Sequence, residues 1–369
     1  MHVAPPRFLF IPVSGPGGAG EYHRSLAIAT GLRRRWPDCS IRFVLNRDAP
    51  YATSTPYPVT LLADSPTRAT TAVNTCIRQE RPDVVIFDSS GRMAQYRAAQ
   101  AAGARIVYVS SRPKTRWKGF RWRRMRLLDQ HWIAQPRFLG GELTPWQRWK
   151  VRFVGQPSIL FLDALHEPLD FPATASLMLE LRLSPGTFAV LCPGGGGIFE
   201  KEIDAAQVFL DAARDLAANR KEVFVVAVVG SRICERMRHV AIPLNLRVLA
   251  SLPNGVLLGL IDASVASAVN GGSLLLQSLR QQAPLVAVPI ARDQTERVRQ
   301  CAAAGYVLGA SLDAPAIVAA LGRLLDEPGL RDALRARARE LALCNGVDTA
   351  VKAVERLLRQ DRRHGEFES

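Results

Sequence analysis

Three groups of residues in this 369-residue chain have the types and spacing that chemistry needs. The first runs from Asn270 to Gln294. Gly271 and Gly272 lack a Cβ, so a ligand can approach their backbone closely. Ser273 then reads as the N-cap of a helix, whose free N–H groups suit a diphosphate. Gln277 lies about one helical turn further in, within reach of a ribose hydroxyl. Asp293 and Gln294 follow at the carboxyl end of the next apolar strand, where ligands of open α/β sheets bind. The same letters also fit a tight strand–helix connection and nothing more, because short glycine motifs are weak signals.

The second group is near the N-terminus. Gly15, Gly17, Gly18 and Gly20 precede a helix that carries Glu21 and His23. A carboxylate or imidazole there can serve as a general base if its pKa is tuned toward neutrality. Two plainer readings stay open: Glu21 as a helix-dipole partner, and His23 as a surface residue. Asp88 ends the apolar run Val84–Phe87 and reads as a base, a base-orienting group, or an N-cap for the segment that follows.

The third group is the segment 112–126, RPKTRWKGFRWRRMR, with eight basic residues and no acid. Arg116, Lys118, Arg121, Arg123 and Arg124 are interleaved with Trp117, Phe120 and Trp122. That mixture suits a membrane surface or an anionic acceptor. It also suits nucleic-acid phosphates and stacked bases, or a solvated loop whose tryptophans pack on the domain.

The elements that position these groups follow from periodicity. Phe8–Val13, Ser40–Leu45, Val84–Asp88, Ala104–Val109 and Asp129–Ala134 read as buried strands, with Pro12 arguing against a central place for the end of the first. Helices fall between them. Val151–Pro157 reads as the strand and turn that close this half. The pattern restarts with Thr187–Cys192, a glycine turn at Gly194, Gly195, Gly196 and Gly197, and a helix from near Phe199. Strands at Val223–Val229, Arg247–Leu249, Val265–Val269 and Pro284–Pro289 complete a second α/β half, and amphipathic helices fill the chain to Leu358.

Taken with those motifs, the chain resembles the GT-B glycosyltransferases, particularly the MurG-type and UDP-glycosyltransferase families. Gly271 to Gln277 has their six-residue spacing from the turn glycine to an acidic residue, with Gln in place of Glu. Asp293-Gln294 matches their later pair. The N-terminal loop is also similar to that of the sugar-nucleotide hydrolases of pseudaminic acid synthesis, with Gly18, Gly20, Glu21 and Arg24 at the pattern positions. In both comparisons Glu21 stands where those families have His.

The resemblance implies an α/β fold of the GT-B kind, two Rossmann-like doubly wound domains facing a central cleft. Residues 1–160 would bind the acceptor and 161–346 the nucleotide-sugar donor, with 347–369 a helix crossing back and a polar tail. It implies an inverting hexosyltransferase that uses a nucleoside-diphosphate sugar, UDP by preference, as co-substrate and no cofactor, while the lack of an Asp-x-Asp motif in the sequence leads to the expectation of no required metal. Gly194–Gly197 and Gly271–Ser273 would face the diphosphate, the backbone near Leu249 the base, Gln277 the ribose, and Asp293 and Gln294 the sugar. Glu21 would be the base, with His23 and Asp88 as the other catalytic candidates. A lipid-linked or cell-envelope glycan acceptor fits the 112–126 segment, and is preferred to nucleic acid as the partner because the rest of the chain resembles a sugar transferase. A nucleotide-sugar hydrolase and a non-catalytic scaffold on the same fold are the alternatives.

Composition agrees with a globular chain: 48% of residues are hydrophobic and 22% charged, and no apolar run approaches the ~18–20 residues of a membrane span. The start MHVAPPRFLFIPV lacks a signal-peptide layout, so a cytoplasmic protein, peripheral on the inner membrane face, is expected. The net charge of +15 asks for an anionic partner. The six cysteines form no C-x-x-C pair, which argues against a zinc site or disulfide framework.

Overall fold

The computed structural model describes residues 4–16, 19–194, 199–200 and 203–365. The chain divides into two compact units, Met1–Leu165 with Cys344–Ser369, and His166–Leu343.

The first unit is built on seven parallel strands: β1 (Arg7–Pro12), β2 (Ser40–Asn46), β3 (Val59–Leu62), β4 (Val84–Asp88), β5 (Arg105–Ser110), β6 (Gln130–Ile133) and β7 (Ser158–Phe161). Their order across the sheet is β3-β2-β1-β4-β5-β6-β7. The connecting helices are α1 (Gly20–Arg35), α2 (Thr70–Glu80), α3 (Met93–Ala101), α4 (Pro113–Gly119), α5 (Trp122–Met125), α6 (Arg137–Gly140) and α7 (Pro145–Val154). Side chains alternate across the sheet with period two. Phe8 and Phe10 join Ile28, Leu32 and Phe43 on one face. Leu9 and Ile11 join Ile77, Phe87 and Tyr96 on the other. Both faces are therefore covered, as parallel sheets require.

One expectation holds here and one changes. β1 lies between β2 and β4, but its end is not central: the β2 ladder stops at Phe10↔Phe43, and Pro12 registers only with Asp88 of β4. Val151–Val154 is not a strand: it is the end of α7. Its alternating V-R-F-V letters suit either state, but Thr144 caps the helix by accepting from the Gln147 N–H at 3.1 Å, Pro145 starts it, and Gly155 ends it at φ 76°. The strand that closes the sheet is β7.

The second unit holds β8 (Phe188–Cys192), a two-stranded antiparallel hairpin of β9 (Phe199–Glu200) and β10 (Ile203–Asp204), then β11 (Phe224–Val228), β12 (Leu246–Leu249), β13 (Ala266–Asn270), β14 (Leu285–Val288) and β15 (Leu308–Gly309). The main sheet is parallel, in the order β12-β11-β8-β13-β14-β15. Its helices are α8 (Phe171–Glu180), α9 (Ala205–Asn219), α10 (Ser231–Met237), α11 (Asn254–Ala263), α12 (Ser273–Arg280), α13 (Arg292–Ala303), α14 (Ala314–Asp326) and α15 (Pro328–Glu340). The helix expected from Phe199 starts instead at Ala205, where the Asp204 carboxylate accepts from the Ala206 N–H.

The last helix, α16 (Gly346–Gly365), belongs to the first unit. Val347, Ala350, Ala353, Val354 and Leu357 recur at helical spacing and are buried. They pack on α1, where a Cβ at Gly31 would collide with Val347. No described helix is long and apolar enough to cross a membrane.

Candidate functional site

In a doubly wound sheet, ligands bind beyond the carboxyl ends of the strands at the point where the strand order reverses. In the first unit that point lies between β1 and β4, and in the second between β8 and β13. The candidate residues of each unit are considered at its own reversal.

After β1, the Val13 N–H donates to the Asp88 carbonyl at 2.9 Å. The first turn of α1 then carries Glu21, His23 and Arg24. Asp88 is fully buried. Arg24 grips both its carboxylate oxygens, Nε to Oδ2 at 2.8 Å and Nη2 to Oδ1 at 2.5 Å. Burial pushes the Asp88 carboxyl up from its ordinary value, and the Arg24 charge opposes that rise. Asp88 thus orients Arg24 rather than capping the following segment, since α3 begins after Arg92. Glu21 is half-buried one turn before Ser25. Its charge reaches Asp88, Arg24 and Tyr51. His23 is exposed at the surface, with Tyr22 at 5.3 Å and Tyr51 at 6.5 Å. Partial shielding of its ring lowers its pKa and favours neutral imidazole. Tyr22 and Tyr51 stack at 4.1 Å, and burial, aided by Glu21, pushes the Tyr51 phenol up to about 12.

At the reversal of the second unit, Asn270 ends β13 and joins the two neighbouring strand ends. Its Nδ2 donates to the Pro193 carbonyl after β8 at 2.5 Å, and its Oδ1 accepts from the Gly272 N–H at 2.9 Å. Gly194, at φ 85°, sits under that amide, and a Cβ there would collide with it. A Cβ on Gly271 would lie 2.5 Å from Val298 Cγ2 and 3.1 Å from Gln294 Cβ. Glycine is required at this corner by packing as well as by any ligand. Ser273 does not cap the helix: Gly272 is the N-cap, with no side-chain cap, and Ser273 is the exposed first residue of α12. The local side-chain bond at this turn is the one Asn270 makes to the Gly272 N–H.

Gln277 Oε1 accepts from Asn254 Nδ2 at 3.0 Å. Gln294 is buried in the first turn of α13; its Oε1 accepts from the Ile290 N–H at 3.0 Å. A Cβ on Gly272 would stand 3.4 Å from Gln294 Nε2. Asp293 is exposed beside it. Leu249 ends β12, with its carbonyl accepting from the Val229 N–H at 3.0 Å. Gly195, Gly196 and Gly197 lie outside the described residues, as do Gly17 and Gly18.

Of the basic–aromatic segment, Arg116 is pinned to the Gly140 carbonyl, and Phe120 is buried. Arg124 donates to the Gly91 carbonyl at 3.2 Å. Trp117, Arg121 and Arg123 are exposed, while Lys118 and Trp122 are half-buried.

Several partnerships at these sites were not foreseen from the sequence. Arg24 lies 64 positions from its partner, a separation no local pattern reveals. Asn270 carried a readable signal, since Asn before Gly-Gly suits a side-chain turn onto its own backbone. Arg297 had none: its Nη1 donates to the Gly271 carbonyl at 2.7 Å. Burial lowers the pKa of that guanidinium against the pull of Asp293, leaving a shielded cation behind the glycine corner.

No protein-family model matches the chain, and no curated protein matches it. Solved structures do. Among them are CalG4, the calicheamicin glycosyltransferase, with a TM-score of 0.63 and 16% identity over 96% of this chain and 99% of that one. MurG of Acinetobacter baumannii gives 0.62 and 15% over 95% and 100%. A Listeria monocytogenes protein named for UDP-N-acetylglucosamine 2-epimerase gives 0.58 and 12% over 95% of each. Together with the two parallel sheets, this similarity establishes the GT-B fold of glycosyltransferases such as MurG and CalG4. Identities this low speak to fold alone.

Proposed function

We propose that the protein transfers a sugar from a nucleoside-diphosphate sugar, UDP-linked by resemblance, to an acceptor hydroxyl. The observation that carries the proposal is the corner at Asn270–Ser273. Side-chain-free backbone, an uncapped helix start and the shielded Arg297 cation converge at the sheet's reversal point. The Gly271 and Gly272 N–H groups already donate to the Val288 carbonyl and the Asn270 side chain, so the N–H groups of the first turn of α12, from Ser273 on, would take up charge as the diphosphate departs, by preorganised electrostatics and without a metal. Gly194 would close the other side of the diphosphate. Gln277 would hold the ribose, Asp293 and Gln294 the sugar, and the backbone at Leu249 the base.

The first unit would supply the acceptor. Glu21 would remove the acceptor proton as it attacks with inversion, with His23 as the competing base. Asp88 acts through Arg24, as a positioning residue. The segment Arg116–Arg124 faces an anionic or lipid-linked acceptor in this reading. That would place the enzyme peripherally at the inner face of a membrane.

Nucleotide release from a panel of UDP-sugars, with and without a lipid extract as acceptor, tests the reading. Release that requires the extract and falls at least ~10²-fold in Glu21→Gln, but not in His23→Ala, is the expected outcome. Release without acceptor would favour a hydrolase, and the reverse ranking of the two variants would move the base to His23.

A further inference from the structure

Gln277 stands where the resembling families carry a carboxylate, and its neighbours show what the change does. Gln277 lies on α12. Asn254 opens α11, beyond the carboxyl end of β12. Two hydrogen bonds fix how these two amides are turned. The Glu167 N–H donates to Asn254 Oδ1 at 3.2 Å. A backbone N–H can only donate, so the oxygen of the Asn254 amide faces Glu167 and its nitrogen faces the other way. That nitrogen donates to Gln277 Oε1 at 3.0 Å. An amide nitrogen does not accept, so the atom of Gln277 that meets Asn254 is its oxygen. Donors and acceptors therefore run in one direction, from a main-chain N–H through Asn254 into Gln277.

Packing holds this relay in place. The segment 167–170 sits on the start of α11. The Asp170 N–H donates to the Gly255 carbonyl at 3.4 Å, and a Cβ on Gly255 would collide with the Pro168 carbonyl oxygen. Only glycine allows that approach, which keeps the Glu167 N–H aimed at Asn254. Asp170 is pinned again as the cap of α8, its carboxylate accepting from the Ala173 N–H at 3.0 Å. Asn254 and Gln277 are both half-buried, so water competes only in part for their bond.

The chemical consequence concerns the pentose. A carboxylate at position 277 would offer ribose hydroxyls a charged acceptor. Gln277 offers one neutral oxygen, and Asn254 already engages it. A hydrogen bond to a charged group is worth roughly ten- to a hundredfold in an equilibrium, and a neutral one roughly two- to tenfold. A site rejects an analogue that lacks a hydroxyl only when it leaves a committed buried partner unpaired. Here the acceptor keeps its partner whether or not a hydroxyl is present.

We propose that Asn254 is a positioning residue that commits the Gln277 oxygen, so that the second unit takes 2′-deoxynucleoside diphosphates about as well as ribonucleoside diphosphates. The donor class then includes sugars activated on either pentose. This rests on the proposed donor site, which supplies the pentose beside Gln277.

Isothermal titration of the full-length protein with UDP, dUDP, GDP and dGDP tests it. For whichever base binds, the ribose and deoxyribose forms should agree within about threefold in the unaltered protein. In Gln277→Glu the preference for ribose should rise about tenfold or more. Asn254→Asp keeps an oxygen for the Glu167 N–H but turns a second oxygen on Gln277, whose amide must then reverse. Its ribose preference should rise about three- to tenfold. An added carboxylate weakens both anionic nucleotides alike, so the ratio of affinities is the readout, and a melt without nucleotide checks that each variant folds. A ribonucleotide bound about tenfold or more tighter than its deoxy form by the unaltered protein, or an unmoved ratio in either variant, would overturn the inference and leave the donor site standing. No saturable binding of any of the four would overturn the donor site itself, and the inference with it.

Discussion

Arg24 and Asp88 show how much of the first unit's chemistry depends on one buried pair. The carboxylate has no exposed surface, and both its oxygens accept from one guanidinium. Removing one partner leaves the other charge buried and unanswered, at a cost of about 3–5 kcal/mol. Arg24→Met should therefore lower the urea midpoint by far more than Arg24→Met/Asp88→Asn, which removes both charges. If the single and double variants were equally stable, the pair would not be acting as an ion pair. His131 offers a pH test at the same scale. It is fully buried, its Nε2 is 2.8 Å from the Ser110 hydroxyl, and burial together with Arg116 and Arg124 pushes its pKa from 6.5 down to about 3. The unfolded chain takes up a proton near pH 6.5 that the folded chain refuses. Stability is thus present above that pH and falls as pH drops from 6.5 toward 3, by up to ~1.4 kcal/mol per pH unit from this residue. Urea melts of His131→Gln should show that slope reduced between pH 6 and pH 4; an unchanged slope would place the titration elsewhere.

At the scale of elements, the strand–corner–helix from β13 to α12 is set by steric fit. Gly271→Ala would press a methyl against Val298 and Gln294. Overpacking of this kind costs about 1–3 kcal/mol. Adding Val298→Ala should restore most of the loss, and a thermal-melt double-mutant cycle reads the coupling; additive losses would mean that the corner is not packed as described. This element was legible from its letters: an apolar run, two glycines, a helix pattern and a second apolar run. The cap was not. Ser273 has the preferred residue type, but the Asn270 side chain makes the turn first, so the helix begins one residue early. α7 was misread for a related reason. V-R-F-V alternates like a strand, and the Thr144–Gln147 box that makes it a helix lies upstream of the ambiguous letters. The edge strand β3 lies inside a Pro- and Thr-rich stretch with no periodicity to show it.

At the scale of the molecule, two parallel sheets, each with its own reversal point, account for the placement of the candidate residues. The α/β class and its two halves follow from alternating strand and helix patterns along the chain. Pairings across long separations do not, because Arg24 with Asp88 and Arg297 with the Gly271 carbonyl depend on tertiary packing. The fold also hosts more than one reaction, since structures named for glycosyl transfer and for epimerisation both resemble it. The central claim is therefore about the ligand of the second unit. Its most direct test is the melting temperature of the protein with UDP, GDP, dTDP and CDP, beside Gln277→Ala. A ligand that binds only the folded state stabilises it by about 2.7 kcal/mol at a hundred times its Kd. The account predicts a clear rise with one nucleotide, UDP first, that is reduced in the variant. No rise with any of the four at millimolar concentration would contradict it.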